Sequence, residues 1–229
     1  MKLGLRSIEN TTHRIKFLDL GTTDDHGITI TYRTAKAFDV EEGETKKQYL
    51  IAFEDGNQIL RFFGETVGFE KIKQVINKST FSSLHDIMIY QTQKEDDSNN
   101  GNAFMYTDNG VYFITYDFMD TTCSESEIED GDGTSLFVDK NHPISISNLK
   151  SVVVDSDGTY AYALADDVIS VIKLSSKTIE STIALKDVIG RDVAIESSAL
   201  VYTSFGGKNY LLATSDALQS TIVVDLSGE

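Results

Sequence analysis

The chain has one cysteine (Cys123), one proline (Pro143) and no tryptophan. A single cysteine excludes an internal disulfide and any zinc site built on several cysteines. No apolar run approaches the roughly 20 residues that a membrane-crossing helix needs. The opening Met1-Lys2-Leu3-Gly4-Leu5-Arg6 is not followed by the apolar stretch of a signal peptide. Bases are scarce: 20 Lys and Arg face 36 Asp and Glu, a formal charge of −16. Such a surface repels nucleic-acid phosphates and anionic membranes, so neither is an expected partner. The four histidines, His13, His26, His85 and His142, lack metal-ligand spacing. No metal and no cofactor is expected.

What is present describes a globular chain. Of its 229 residues, 40% are hydrophobic and 10% aromatic, enough to bury a sizeable core. The expected organisation is a single β-rich domain over 1–229, with a weaker division into 1–100 and 101–229 as the alternative. The charge is uneven. Residues 1–50 carry eight acids and eight bases, whereas residues 101–150 carry nine acids and two bases. These features point to a cytoplasmic protein, or to a virion component if the source is a virus.

Four segments repeat one pattern: "YLIAFEDGNQILRFF" from Tyr49, "AFMYTDNGVYFITYDF" from Ala103, "YAYALADDVISVIKL" from Tyr160 and "YLLATSDALQSTIVVDL" from Tyr210. Each is an apolar or aromatic run, a polar turn and a second β-rich run. Gly, Asn and Asp tolerate the positive φ of tight hairpins, and β-branched and aromatic residues fit a pleated surface. The starts are 54, 57 and 50 residues apart (49, 103, 160, 210), a period in the range of propeller blades. Residues 151–185 read as one four-stranded meander: "SVVVDSDG", "TYAYALAD", "VISVIKLSS" and "TIESTIAL". The period of two sets Val152, Val154, Tyr160, Tyr162 and Leu164 against the residues between them.

This order of strands and turns resembles the blades of YVTN-type and WD40-like β-propellers, best over residues 149–229. Trp-Asp and Gly-His signatures are absent. The resemblance implies an all-β, propeller-like fold of four to five blades of about 50 residues, with a β-sandwich as the alternative. One short helix is expected over "FEKIKQVINKS", residues 69–79, where Phe69, Ile72, Val75 and Ile76 share a face at helical spacing. The polar stretches Gln91–Asn102 and Met119–Thr134 read as insertions between strands.

Several motifs imitate catalytic sites. Asp19-Leu20-Gly21-Thr22-Thr23 resembles the phosphate loop of actin-like and Hsp70-like ATPases. Asp24 and Asp25 follow at once, placing carboxylates where phosphate charge would sit, and the helices of that family are missing. The stretch reads as a hairpin turn. Asp130, Asp132 and Thr134 fit the first ligand positions of a calcium loop, but Ser135 stands where glycine is required and Asn141 where the last glutamate belongs. Asp155-Ser156-Asp157-Gly158-Thr159 fails in the same way. Cys123 with His142 lacks a catalytic signature, and nearby carboxylates raise a thiol's pKa.

The reading is therefore a non-enzymatic protein–protein interaction or assembly scaffold, including the version in which it is a structural component of a virus or phage particle. The alternative is a carbohydrate-binding or hydrolytic propeller using pocket carboxylates. Partners are expected to be other proteins with basic surfaces. The candidate contact residues are the acids Glu125, Glu127, Glu129, Asp130 and Asp132, beside the apolar anchors Phe118 and Phe137.

Overall fold

A computed structural model describes residues 2–6, 15–19, 32–42, 45–54, 59–64, 72–75, 83–91, 100–117, 136–139 and 142–227. Its elements are strands and one short helix. They are β1 (Lys2–Arg6), β2 (Ile15–Asp19), β3 (Tyr32–Glu42), β4 (Thr45–Glu54), β5 (Ile59–Gly64), β6 (Ile72–Val75), β7 (Leu84–Gln91), β8 (Asn100–Thr107) and β9 (Gly110–Asp117). There follow β10 (Leu136–Val138), β11 (Ile144–Ser145), β12 (Leu149–Val154), β13 (Tyr160–Ala165), β14 (Val168–Lys173) and β15 (Thr178–Ala184). After the short helix α1 (Leu185–Ile189) come β16 (Ser197–Phe205), β17 (Lys208–Ser215) and β18 (Ser220–Asp225).

Within each sheet, strands adjacent in sequence pair, β11 excepted. The sheets run β3-β4-β5-β6, β7-β8-β9-β10, β12-β13-β14-β15 and β16-β17-β18, with β1-β2 as a separate pair and β11 beside β9. Each of the four sequence repeats falls on the hairpin between the second and third strands of its sheet: β4–β5, β8–β9, β13–β14 and β17–β18. The fold is thus all-β and built of propeller-like antiparallel meanders, rather than the two facing sheets of a sandwich.

The one short helix is not where helical spacing put it. Residues 72–75, inside the expected helix, are strand β6, with Ile72 opposite Phe62 and Val75 opposite Ile59. Ile and Val suit a strand better than a helix, and β5 offers an edge to pair with. The remainder of 69–79 lies outside the described residues. The observed helix, α1, is a single turn and a half and begins at Leu185, the last residue assigned above to the outer strand. The four strands of that meander are otherwise where the sequence placed them.

The chain divides into two units. The first holds Met1–Ala103 and Ile114–Val138. In it β3 lies beside β7, and Lys36 Nζ bridges to an Asp86 carboxylate oxygen at 2.8 Å. Ile51 and Ile87 are fully buried there.

The second unit holds Phe104–Phe113 and Asp139–Glu229. At its hairpin end, Phe104 and Phe113 meet edge to face, with centroids 6.3 Å apart, and Lys177 Nζ lies 5.2 Å over the Phe113 ring. Gly110 starts β9 directly against β11. A Cβ there would collide with the Ile144 carbonyl oxygen, so only glycine fits.

The main core of this unit lies between sheet β12–β15 and sheet β16–β18. Tyr162, Leu164 and Ile169 of the first sheet pack with Leu200, Leu211, Ala213, Ile222 and Val224 of the second. Along β13 every residue from Ala161 to Leu164 is buried, so both faces of this strand are covered. The alternation that the period of two leads one to expect is present in direction but absent in burial.

Candidate interaction surface

Several hydrogen bonds cross the seam between the two sheets. Lys150 Nζ on β12 donates to the Ser197 carbonyl at 2.8 Å. The Leu200 amide donates to Ser151 Oγ at 3.2 Å. Asp167, in the β13–β14 turn, accepts the Leu185 amide on its main-chain oxygen at 2.9 Å and the Ser197 amide on its carboxylate at 3.4 Å. One turn residue therefore ties the end of β15 and the start of β16 to the same hairpin. Ser215 Oγ donates to the Ile195 carbonyl and closes the far side.

Two tyrosines fill the seam. The rings of Tyr162 and Tyr202 stack 6.2 Å apart at 11°. Burial, with Asp155, Tyr202 and Tyr160 adding to it, pushes the Tyr162 phenol up to about 12. The Tyr202 hydroxyl is buried without a hydrogen-bond partner, a local cost to stability.

The opposite face of sheet β16–β18 differs. Val201 pairs across to Leu212, and Leu212 to Val223. These three residues form one cross-strand row on the side away from Leu211 and Ala213. Tyr210 and Thr203 stand in the next row, opposite each other. The face remains open: Val201 is 51%, Val223 55% and Phe205 80% exposed. Phe205 precedes Gly206 and Gly207, whose φ values of 61° and 77° make the two-residue hairpin turn that needs positive φ at both central positions. Lys208 Nζ bonds an Asp225 carboxylate oxygen at 3.2 Å. The hydrogen bonds from Ser227, with Lys208, hold the Asp225 carboxyl below its ordinary range.

The turn motifs singled out in the sequence resolve as follows. Asp155 accepts the amides of Thr159 at 2.8 Å and Tyr160 at 3.2 Å on its two carboxylate oxygens, so the loop is a hairpin end built by its own main chain. His142 places Nδ1 3.0 Å from an Asp139 carboxylate oxygen. Asp19 ends β2 opposite Lys2, and Leu20 to Thr31 lie outside the described residues, as does Cys123. Among the described residues no group of three or more His, Cys, Asp or Glu is placed to hold a metal ion. A small cleft beside α1 is lined by Lys186, Asp187, Gly190, Arg191 and Asp192.

Of the candidate contact residues, Phe118, Glu125, Glu127, Glu129, Asp130 and Asp132 lie outside the described residues. Phe137 sits on β10 opposite Thr115. The open face of β16–β18 was not among the candidates. The signal available was the apolar content of the row Val201, Leu212 and Val223, which reads in sequence as ordinary core.

No family model matches the chain, and no curated protein matches it. Among solved structures, it is similar to the β-propeller domain of Cps50 (Swd1) from Myceliophteria thermophila, with a TM-score of 0.52 at 9% identity. The match covers 97% of this chain and 62% of the Cps50 chain, so this chain spans less than two thirds of its neighbour's length. At that identity the likeness is one of fold, and the propeller-like architecture stands on it. The narrower WD40 and YVTN assignments find no motif support.

Proposed function

We propose that this chain is a non-enzymatic protein-interaction scaffold, and that the open face of sheet β16–β18 is a contact surface. The observation carrying this is the exposed row of Val201 and Val223 with Leu212 between them, continued by Phe205 at the hairpin tip. Apolar side chains clustered on a rigid sheet are what protein partners bury, with an aromatic residue as the natural anchor. The likeness to a β-propeller domain supports the reading, because meanders of this kind present broad rigid faces.

Two finer parts belong to the same proposal. The acidic stretch holding Glu125, Glu127, Glu129, Asp130 and Asp132 steers a partner with a basic surface, and Phe118 and Phe137 add apolar contact beside it. Exposed ion pairs contribute only about 0–1 kcal/mol each, so the acids act on encounter rate more than on affinity. Membership of a larger assembly is the second part.

The test is purification of the tagged full chain from its source, with the native mass of the complex and identification of its partner. Binding is then measured between purified components. Val201→Asp with Phe205→Ser should weaken that binding strongly and leave the thermal transition in place. Replacing the five acids by Gln or Asn should slow association at low salt and change little at high salt, where screening is short-ranged. Binding indifferent to the open-face variants would overturn the surface assignment.

A further inference from the structure

The two sheets of the second unit superpose by register. Six pairs join β13 to β14, from Tyr160↔Lys173 to Ala165↔Val168, and six join β17 to β18, from Tyr210↔Asp225 to Ser215↔Ser220. The bond just beyond each set is also the same. The Leu174 amide donates to the Thr159 carbonyl at 3.0 Å, and the Leu226 amide to the Asn209 carbonyl at 2.9 Å. On this match Val223 is the counterpart of Val171, Thr221 of Ile169 and Asp225 of Lys173.

The counterparts differ at the edge. Beyond β14 lies β15, with Ile169 opposite Ile183, Val171 opposite Ser181 and Lys173 opposite Thr178. Among the described residues no strand lies beyond β18. Main-chain groups in an antiparallel strand point alternately to either side. Since Leu226 bonds to β17, so do Val224 and Ile222. The N–H and C=O groups of Thr221, Val223 and Asp225 point outward from the edge.

We infer that β18 accepts an extended strand from a partner protein, antiparallel and in register with Thr221, Val223 and Asp225, as β15 does on β14. This deepens the scaffold reading above and rests on it. Three observations select the occupant. The row Val201–Leu212–Val223 reaches the open edge, so an added strand lengthens an apolar face already built. Lys173 on β14 faces Glu180 of β15 at 3.8 Å. The counterpart of Lys173 is Asp225, whose reversed sign matches a Lys or Arg on the incoming strand in addition to the Lys208 that it already bonds. A second copy stacked on the open face is disfavoured. Strands of nine, eight and six residues offer roughly 400 Å², well below the roughly 800 Å² per partner of a stable interface, and each copy brings a charge of −16.

The probe is a synthetic peptide with the sequence of residues 177–185 and the substitution Glu180→Lys. Added to the full chain, it should slow hydrogen exchange at the Thr221, Val223 and Asp225 amides and leave Ile222 and Val224 unchanged. Val223→Pro removes one outward donor without touching the β17 bonds and should weaken peptide binding roughly tenfold. Exchange at Ile222 and Val224 reports whether β18 stays paired in that variant. If it does not, Asp225→Lys serves instead: it should reverse the preference, binding the Glu180 peptide better than its Lys version. Unchanged exchange at the three outward amides overturns the inference, as does equal binding by Val223→Pro with β18 intact, or no reversal in Asp225→Lys. A dimer of the full chain that Val223→Pro dissolves assigns the edge to a second copy and also overturns it. If the identified partner is lost by Val201→Asp with Phe205→Ser but kept by Val223→Pro, the scaffold reading stands and strand addition falls.

Discussion

Sheet β12–β15 has a fourth strand at its edge and another sheet on its face, whereas sheet β16–β18 shares its register and, among the described residues, has no fourth strand. The sequences show the change. Where the covered face of the first sheet carries Tyr162, Leu164 and Ile169, the open face of the second carries Leu212, Thr214 and Thr221 at the matched positions. The second face has kept part of its apolar character and gained hydroxyls. A permanently buried core would favour the larger residues of the first sheet.

The sharpest way to break the comparison uses two adjacent leucines of β17. Leu211 is fully buried in the seam, and Leu212 lies on the open face. Leu211→Ala should cost about 2–5 kcal/mol, read by urea unfolding, while Leu212→Ala should cost under about 1 kcal/mol. Similar losses at both positions would mean that the open face is covered in solution. Asp167→Ala comes next. It removes the carboxylate that accepts the Ser197 amide, so a loss of about 1–2 kcal/mol is expected, with faster amide exchange at Ser197.

The seam also titrates. The Tyr162 phenol ionises near 10.0 when free and at about 12 in the fold. The folded state therefore holds this proton more tightly. Its contribution is complete below pH 10 and is lost as pH rises through about 12. Alkaline unfolding followed by circular dichroism should show this slope, and Tyr162→Phe should flatten it. The smallest effect concerns the residue before each first strand. Asn148 precedes β12 at φ 58°, and Glu196 precedes β16 at φ 50°. Asparagine tolerates this left-handed conformation better than glutamate. Glu196→Asn should gain about 0.5–1 kcal/mol, read as a small rise in Tm.

The hairpins were legible in the sequence because their turns need particular residues. Asp155 with Gly158 announces chain reversal through a side-chain cap and positive φ, whereas the Gly206-Gly207 turn was not anticipated. The strand at 72–75 was read as helix because Phe69, Ile72, Val75 and Ile76 satisfy a helical spacing that their β-branching argues against, and only an available edge on β5 decides the matter. The helix at 185–189 is too short to show a period. The open face could not be found by pattern. Alternation reveals that Val201 and Thr203 share a face, but whether a neighbour covers that face is a property of what lies around the strand.

The pairing of each strand with its neighbour in sequence has a kinetic consequence. Most β folds join distant segments and fold slowly, because long loops must close before any contact forms. Here every sheet of the described chain except for the β11 contact follows chain order, so each meander can assemble from local hairpins. The slow step is then the docking of one finished meander on the next. The β16–β18 meander, held among the described residues on one face and through Lys150, Ser151 and Asp167, should be the first to detach under stress.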